Sequence, residues 1–336
     1  MLARSLTSKS QPGVLNSSLR LPTAADVAAA RENIRGRAIR TPLLKLNADV
    51  PGVNVYIKLE NLQPLGSFKV RPAVNALRSV DPERLRKGVL TASAGNFGLG
   101  VVFAAREIGI PVTVIVPETS AAVKATALAN LGATVIRVPF DDWWAALTTR
   151  RIAGVGGVFF HPVAESTVVA GNATIGAEII EDLPDVDAVI VPFGGGGLLS
   201  GIGSVMRRLR PSVRMLAVES QASQPAAAAL ASGKPVAVRH IQSFVDGMGS
   251  TTVLEEMWPL VRETLDQAVC VSFAQIADAI RILAARHHVI AEAAGAASVA
   301  AAKAGLAGAG TVVCIVSGGN IDGSKLGPIL NGENPF

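Results

Sequence analysis

Aromatic side chains make up only 4% of this 336-residue chain, with one tyrosine and three tryptophans. So few rings leave no stacking platform for single-stranded nucleic acid. Charged residues are also scarce, at 17%, although the balance is basic, with a net charge of +5. The densest basic patch, Arg207-Arg208-Leu209-Arg210 with Arg214, falls at the end of an expected helix, where cations suit the dipole. No nucleic-acid partner is expected. There are two cysteines, Cys270 and Cys314, each in an apolar strand-like run. They read as buried free thiols in a reducing compartment. The four histidines, His161, His240, His287 and His288, show no ligand spacing and read as structural. No apolar run approaches the ~18 residues of a membrane span, so no membrane partner is expected. The first twenty residues hold Arg4, Lys9 and Arg20, several serines and no acid. Transit peptides and frayed tails share that composition; without an apolar signal core, a flexible tail over 1–20 and a cytoplasmic protein are expected.

What the chain does have is apolar residues, 49% of the total, enough for a large core and two domains. Thr23-Ala-Ala-Asp26 opens an expected helix through about Arg37. Val53 to Leu59 alternates like a strand, and a helix follows from Ala73. From Gly88 to His161 strands and helices alternate, with Pro111 to Val116 reading as a strand covered on both faces. A second alternating series follows, with strands at Ala188, Val213 and Thr311, and helices that include Gly197 to Leu209 and Thr252 to Thr264. The pattern predicts an α/β protein of open, twisted, mostly parallel sheets. A small domain is expected over 81–164. A large one over 21–80 and 165–330 takes the Val53 strand into its sheet.

Two stretches carry chemistry. Lys69 stands in Leu62-Gln-Pro-Leu-Gly-Ser-Phe-Lys-Val-Arg71, at a loop-to-helix junction with no charge nearby back to Asn61. An amine in a dry place has a lowered pKa, as a Schiff base with an aldehyde cofactor requires; a solvated lysine at a helix start has the same local sequence. Gly194 to Gly197 joins a strand to a helix, and four glycines let backbone N–H groups close round an anion. The loop lacks the Gly-Lys-Ser/Thr ending of a P-loop. It also lacks the acid that a dinucleotide site places about 20 residues on, unless Glu219 serves.

Gly66-Ser-Phe-Lys-Val-Arg71 resembles the cofactor-lysine motif of the serine/threonine dehydratase and serine racemase family. Ser93-Ala-Gly-Asn-Phe-Gly98, Pro192-Phe-Gly-Gly-Gly-Gly-Leu198 and Ser317-Gly-Gly-Asn320 match that family in the same order. The resemblance runs from about Leu21 to about Leu330. It implies a pyridoxal 5'-phosphate enzyme of the tryptophan-synthase β-subunit fold, that is, fold type II. Lys69 would then bind the cofactor aldehyde, Phe68 would pack on the ring, and Asn96 would bond the 3′-oxygen. Gly194, Gly195, Gly196 and Gly197 would hold the phosphate. The backbone at Asp246-Gly247 would lie near the ring edge. Ser317 would bond the ring nitrogen. A hydroxyl there does not hold the nitrogen protonated, which suits β-elimination over transamination. Ser93, Ala94, Gly95, Asn96 and Phe97 would receive the substrate carboxylate. The family leaves room for a monovalent cation.

The sequence also departs from the family. Pro72 stands where it has glycine, Phe97 where it has histidine, and Gly171-Asn-Ala-Thr174 where it has Gly-Gln-Gly-Thr. Glu219 matches one ligand of the divalent site of animal serine racemases. Pro225 occupies about the place of the other, so no metal is expected. Phe97 and Val163 either mark room for a bulky β-substituent or simply pack. The expected activity is a dehydratase, an ammonia-lyase converting a β-hydroxy-α-amino acid of the threonine or serine type, or a bulkier β-aryl analogue such as phenylserine, to a 2-oxo acid and ammonia. The alternatives are a racemase, a β-replacement synthase of the same fold, or a non-catalytic nucleotide-binding protein. Racemases carry a serine at position 94. Here it is alanine, and Ser93 is expected to face away from the substrate. A homodimer acting on a small amino acid is expected.

Overall fold

The computed structural model describes residues 19–334 apart from positions 121 and 153. The tail expected over 1–20 therefore lies outside the described residues except for Leu19 and Arg20. Among the described residues ten strands form two sheets. The larger contains β1 (Leu43–Lys45), β2 (Val53–Lys58), β7 (Ala188–Pro192), β8 (Arg214–Ser220), β9 (Gln267–Val271) and β10 (Gly310–Ile315). Its order is β1-β2-β10-β7-β8-β9, parallel throughout except for β1, which pairs antiparallel with β2. The smaller contains β3 (Val89–Thr91), β4 (Val112–Pro117), β5 (Thr134–Val138) and β6 (Val158–Phe159), all parallel in the order β5-β4-β3-β6. The last strand in sequence, β10, is inserted between β2 and β7, so the Val53 strand joins the second series, as its sequence suggests.

Helices cover both faces of the large sheet. Along β10, Val312 and Cys314 pack into one apolar cluster and Val313 and Ile315 into another. This is why the strand is apolar without interruption instead of alternating. The Ala24–Ile34 helix starts where the sequence says it should: Thr23 and Asp26 close a capping box. The helix expected from Thr252 begins only at Trp258, because Pro259 lacks an N–H and is tolerated only in the first turn. Cys270 is exposed, not buried. It lies on the edge strand β9, where Val269 and Val271 face inward and the residue between them must face out. Cys314 is buried. The basic patch is spent within the fold: Arg207 donates to the carbonyls of Glu263, Thr264 and Val213 and pairs with Asp266 at 2.7 Å, and Arg210 donates to the carbonyl of Pro184. No helix among the described residues is long and apolar enough to cross a membrane.

Candidate active site

The two sheets aim the carboxyl ends of their strands at one cavity. Lys69 immediately precedes the Val70–Arg78 helix. Pro72 sits in the first turn of that helix, where a missing N–H costs nothing. Gly171 accommodates it, since a Cβ there would stand 2.5 Å from the Pro72 Cα. The turn before Lys69 is fastened to the segment after β10. Ser67 and Gly318 form an antiparallel bridge, and the Phe68 N–H donates to the Ser317 carbonyl at 3.0 Å. The first and last motifs in the sequence thus become one structure.

Every residue expected to bind cofactor lines this cavity, whose volume is about 220 Å³. So do four of the five expected for substrate; the exception is Ala94. That methyl packs toward the apolar core of the small sheet, while Ser93 lines the cavity. The bend after β3 thus brings Ser93, and not Ala94, to the cavity wall. Ligand pockets commonly run from about 300 to 1,000 Å³. A space this small suits one ring with a phosphate and not a dinucleotide. A larger cleft, of about 600 Å³, lies elsewhere, between Arg84, Lys87 and Arg150, and contains none of the expected site residues.

The Lys69 amine donates to the Pro162 carbonyl at 3.1 Å. It stands 5.0 Å from the ring centroid of Phe68 and 5.4 Å from that of Phe97. Removal from water lowers its pKa to about 8, against a smaller upward pull from Glu292. The glycine loop presents bare backbone because nothing larger fits. A Cβ on Gly195 would stand 2.8 Å from both Val163 methyls, and one on Gly196, at φ +89°, would stand 2.5 Å from Val261. The Gly197–Leu209 helix starts directly behind the loop, adding its N-terminal dipole. Near that start the buried Asn172 amide and Ser200 hydroxyl have no hydrogen-bond partner. A bare cradle at a helix N-terminus, a desolvated amine and the Ser317 hydroxyl in one cavity fit pyridoxal phosphate.

Sequence reasoning missed Glu292. It precedes the Ala293–Lys303 helix, is 6% exposed and lines the cavity. Its Oε1 accepts from Asn96 Nδ2 at 2.9 Å, and Asn96 Oδ1 accepts from Asn320 Nδ2 at 2.8 Å. Burial raises the Glu292 pKa to about 8, so it is largely the neutral acid at pH 7. The available signal was a lone carboxylate in Ala291-Glu-Ala-Ala-Gly-Ala-Ala297. Glu219 lies off the cavity. Its oxygens accept from the Ala226 and Ala227 N–H groups at 2.7 and 3.0 Å, capping the Pro225–Ser232 helix. Among the described residues no group of three or more His, Cys, Asp and Glu side chains is arranged to hold a metal. Phe97 is buried at 1% exposure in the core of the small sheet, with part of its ring on the cavity wall opposite Val163.

Residues 34–318 match the family model described as pyridoxal-phosphate dependent enzyme. The chain is 38% identical over 314 residues to an L-threonine ammonia-lyase of Thermotoga maritima, covering 92% of this chain and 78% of that one. It is 34% identical over 315 residues to a catabolic L-threonine dehydratase of Staphylococcus aureus, covering 91% of each. Among solved structures, maize serine racemase superposes with a TM-score of 0.83 at 29% identity, covering 92% of this chain and 96% of that one. The processed form of threonine deaminase isoform 2 from Solanum lycopersicum gives 0.81 at 30% identity, covering 96% and 98%.

Proposed function

The chain belongs to the pyridoxal-phosphate dependent enzyme family, and from that premise we propose that it dehydrates a β-hydroxy-α-amino acid of the threonine or serine type to a 2-oxo acid and ammonia. The observation that carries the reading is Lys69. Among the described residues its amine has no carboxylate partner; its pKa is lowered to about 8, and it opens on the same cavity as the glycine loop and Ser317. Relatives named as threonine dehydratases and ammonia-lyases support the substrate class.

Pyridoxal phosphate, when bound, supplies an aldehyde for the substrate amine and a ring that accepts the electrons released at Cα. Lys69 would hold it, the N–H groups of Gly194 to Gly197 would take its phosphate, Ser317 would face the ring nitrogen and Phe68 would cover one side. A neutral lysine amine removes the α-proton; near pH 8 about half of such amines are neutral. Ser93 and the N–H groups of the turn before the Asn96–Arg106 helix would orient the substrate carboxylate. Phe97, Val163 and Leu198 exclude water from the reacting end. The hydroxyl of Ser317 carries no charge to keep the ring nitrogen protonated, which favours elimination.

A bulkier β-aryl substrate such as phenylserine is a second reading, favoured by the apolar wall that Phe97 and Val163 make. Release of 2-oxo acid from serine, threonine, their allo isomers and phenylserine decides between the two. Threonine is expected to lead; a preference for phenylserine of more than about tenfold, the scale of a pocket's size discrimination, would reverse the order. Borohydride reduction and peptide mapping should place the pyridoxyl group on Lys69, and a label on Lys58 or Lys124 would sink the assignment. Light scattering tests the proposed homodimer.

A further inference from the structure

The roles proposed above give the segment from His161 to Glu165 no task beyond the wall that Val163 makes, although its Pro162 carbonyl touches the reactive amine. His161 follows β6 and is 1% exposed. Its Nδ1 accepts the N–H of Val163 at 3.1 Å and that of Ala164 at 2.7 Å. Its own N–H donates to Glu165 Oε2 at 3.0 Å. An imidazole thus closes the turn from within and a carboxylate closes it from the far side. Two donors converging on Nδ1 require that nitrogen to be bare, so the ring is neutral with its proton on Nε2. Burial first, then the Arg150 and Lys69 cations, push the imidazole pKa down to about 3, which agrees with a neutral ring.

The turn presents two groups to the cavity. The Pro162 carbonyl accepts from the Lys69 amine at 3.1 Å. The Val163 methyls lie 2.8 Å from where a Cβ on Gly195 would stand, closing against the glycine loop. Arg150 anchors the far end. It donates to the Ala164 carbonyl at 2.8 Å and to Glu256 at 2.9 Å, tying the turn to the segment ahead of the Trp258–Thr264 helix.

We propose that His161 is a positioning residue for Lys69: by taking the N–H groups of Val163 and Ala164 on one nitrogen, it holds the Pro162 carbonyl where that carbonyl aims the lysine amine. The proposal rests on the reading of Lys69 as the cofactor lysine. His161 does not line the cavity and takes no part in the chemistry directly. A histidine that merely fills space could be replaced by any side chain of similar bulk. One that holds this turn can be replaced only by a side chain that offers an acceptor at the Nδ1 position. Asparagine does so, with its Oδ1 two bonds from Cβ, whereas glutamine places its polar atoms one bond further out, near Nε2.

The test compares His161→Asn with His161→Gln, both purified as holoenzyme. Each is challenged with hydroxylamine while cofactor loss is followed by visible absorbance, and kcat and KM are measured separately. If a displaced amine costs what a misplacement of about 1 Å costs elsewhere, His161→Gln should lose cofactor and kcat by about 10- to 100-fold with KM nearly unchanged, while His161→Asn stays within about threefold. Equal behaviour of the two variants, whether both intact or both impaired, would overturn the proposal. Amide hydrogen exchange in the unsubstituted holoenzyme gives a reading that needs no variant. The Val163 and Ala164 N–H groups should be protected, and exchange at open-loop rates would overturn the proposal equally. A pyridoxyl label away from Lys69 would instead fault the assigned function, leaving protection of the turn unaltered.

Discussion

Two lysines eleven positions apart, one fully and one partly buried, have opposite surroundings. Lys58 is 0% exposed. It donates to Glu178 Oε2 at 2.6 Å and to the Thr41 carbonyl at 2.8 Å. Beside it Arg71 spans Glu60 and Glu178 with two hydrogen bonds to each carboxylate. Thr41 and Gln63 take up remaining capacity on Glu60. In this region each buried charge meets its opposite. Across the Val70–Arg78 helix, Lys69 meets a neutral carbonyl and two phenyl rings, and the nearby Glu292 spends its oxygen on the Asn96 amide. The Lys69 pKa therefore falls and that of Glu292 rises, each mainly through desolvation. Arg71 has its pKa raised by the two glutamates despite burial, and Glu60 has its pKa lowered by Arg71. Paired burial fixes charge and builds structure; unpaired burial leaves protons ready to move.

The sharpest way to break this contrast is to exchange the roles of the lysines. Lys69→Ala should lower turnover by at least about 10⁴-fold, since one amine serves as anchor and base, with little change in the urea midpoint. Lys58→Met should do the reverse, lowering the midpoint while the folded fraction keeps its turnover. Turnover retained by Lys69→Ala in a steady-state assay would end the comparison. Arg71→Leu comes next. It leaves Glu60 and Glu178 buried without their cation and should cost about 3–5 kcal/mol, read from urea unfolding.

Glu292→Gln sharpens the contrast through pH. The folded-state pKa, about 8, lies above the ordinary 4.5. Across that window the folded chain keeps a proton that the unfolded chain has released, so this carboxyl makes stability fall as pH rises from 4.5 towards 8. The Gln variant should lack that slope and gain on the unsubstituted protein through the window. Parallel urea midpoints for the two proteins would show that Glu292 ionises normally. The smallest effect concerns the turn after β3. Ser93→Ala should raise KM several-fold, by about the 1 kcal/mol of one hydrogen bond. Ala94→Ser, directed at the small-sheet core, should leave the ratio of racemisation to oxo-acid release unchanged on chiral chromatography.

Much of this was readable in the residues. Lys69, Gly194 to Gly197 and Ser317 carry strong local marks, a Gly-Ser-Phe-Lys turn and a glycine run among them, and each follows a strand end, where an open α/β sheet places its ligands. Glu292 escapes because a carboxylate in an alanine-rich helix start looks like an ordinary cap; only the hydrogen bond from the Asn96 amide, across 196 residues of sequence, shows what it faces. Which of Ser93 and Ala94 reaches the cavity wall is not legible in the sequence, because strand alternation does not extend into the bend after β3. Cys270 reads as buried because an edge strand and a central one share the same apolar letters, and sheet order is not written locally.

The position of β10 has a consequence for how the protein is made. The strand that completes the lysine's surroundings lies at Gly310–Ile315, about 240 residues after Lys69, and at common rates of synthesis that gap takes roughly 12–48 s to fill. Until then β2 has no parallel neighbour, Ser67 has no Gly318 to bridge, and the Phe68 N–H has no Ser317 carbonyl. A nascent chain therefore carries Lys69 as an ordinary wet ammonium, and the amine becomes reactive only once Gly310–Ile315 and the segment that follows it have been made.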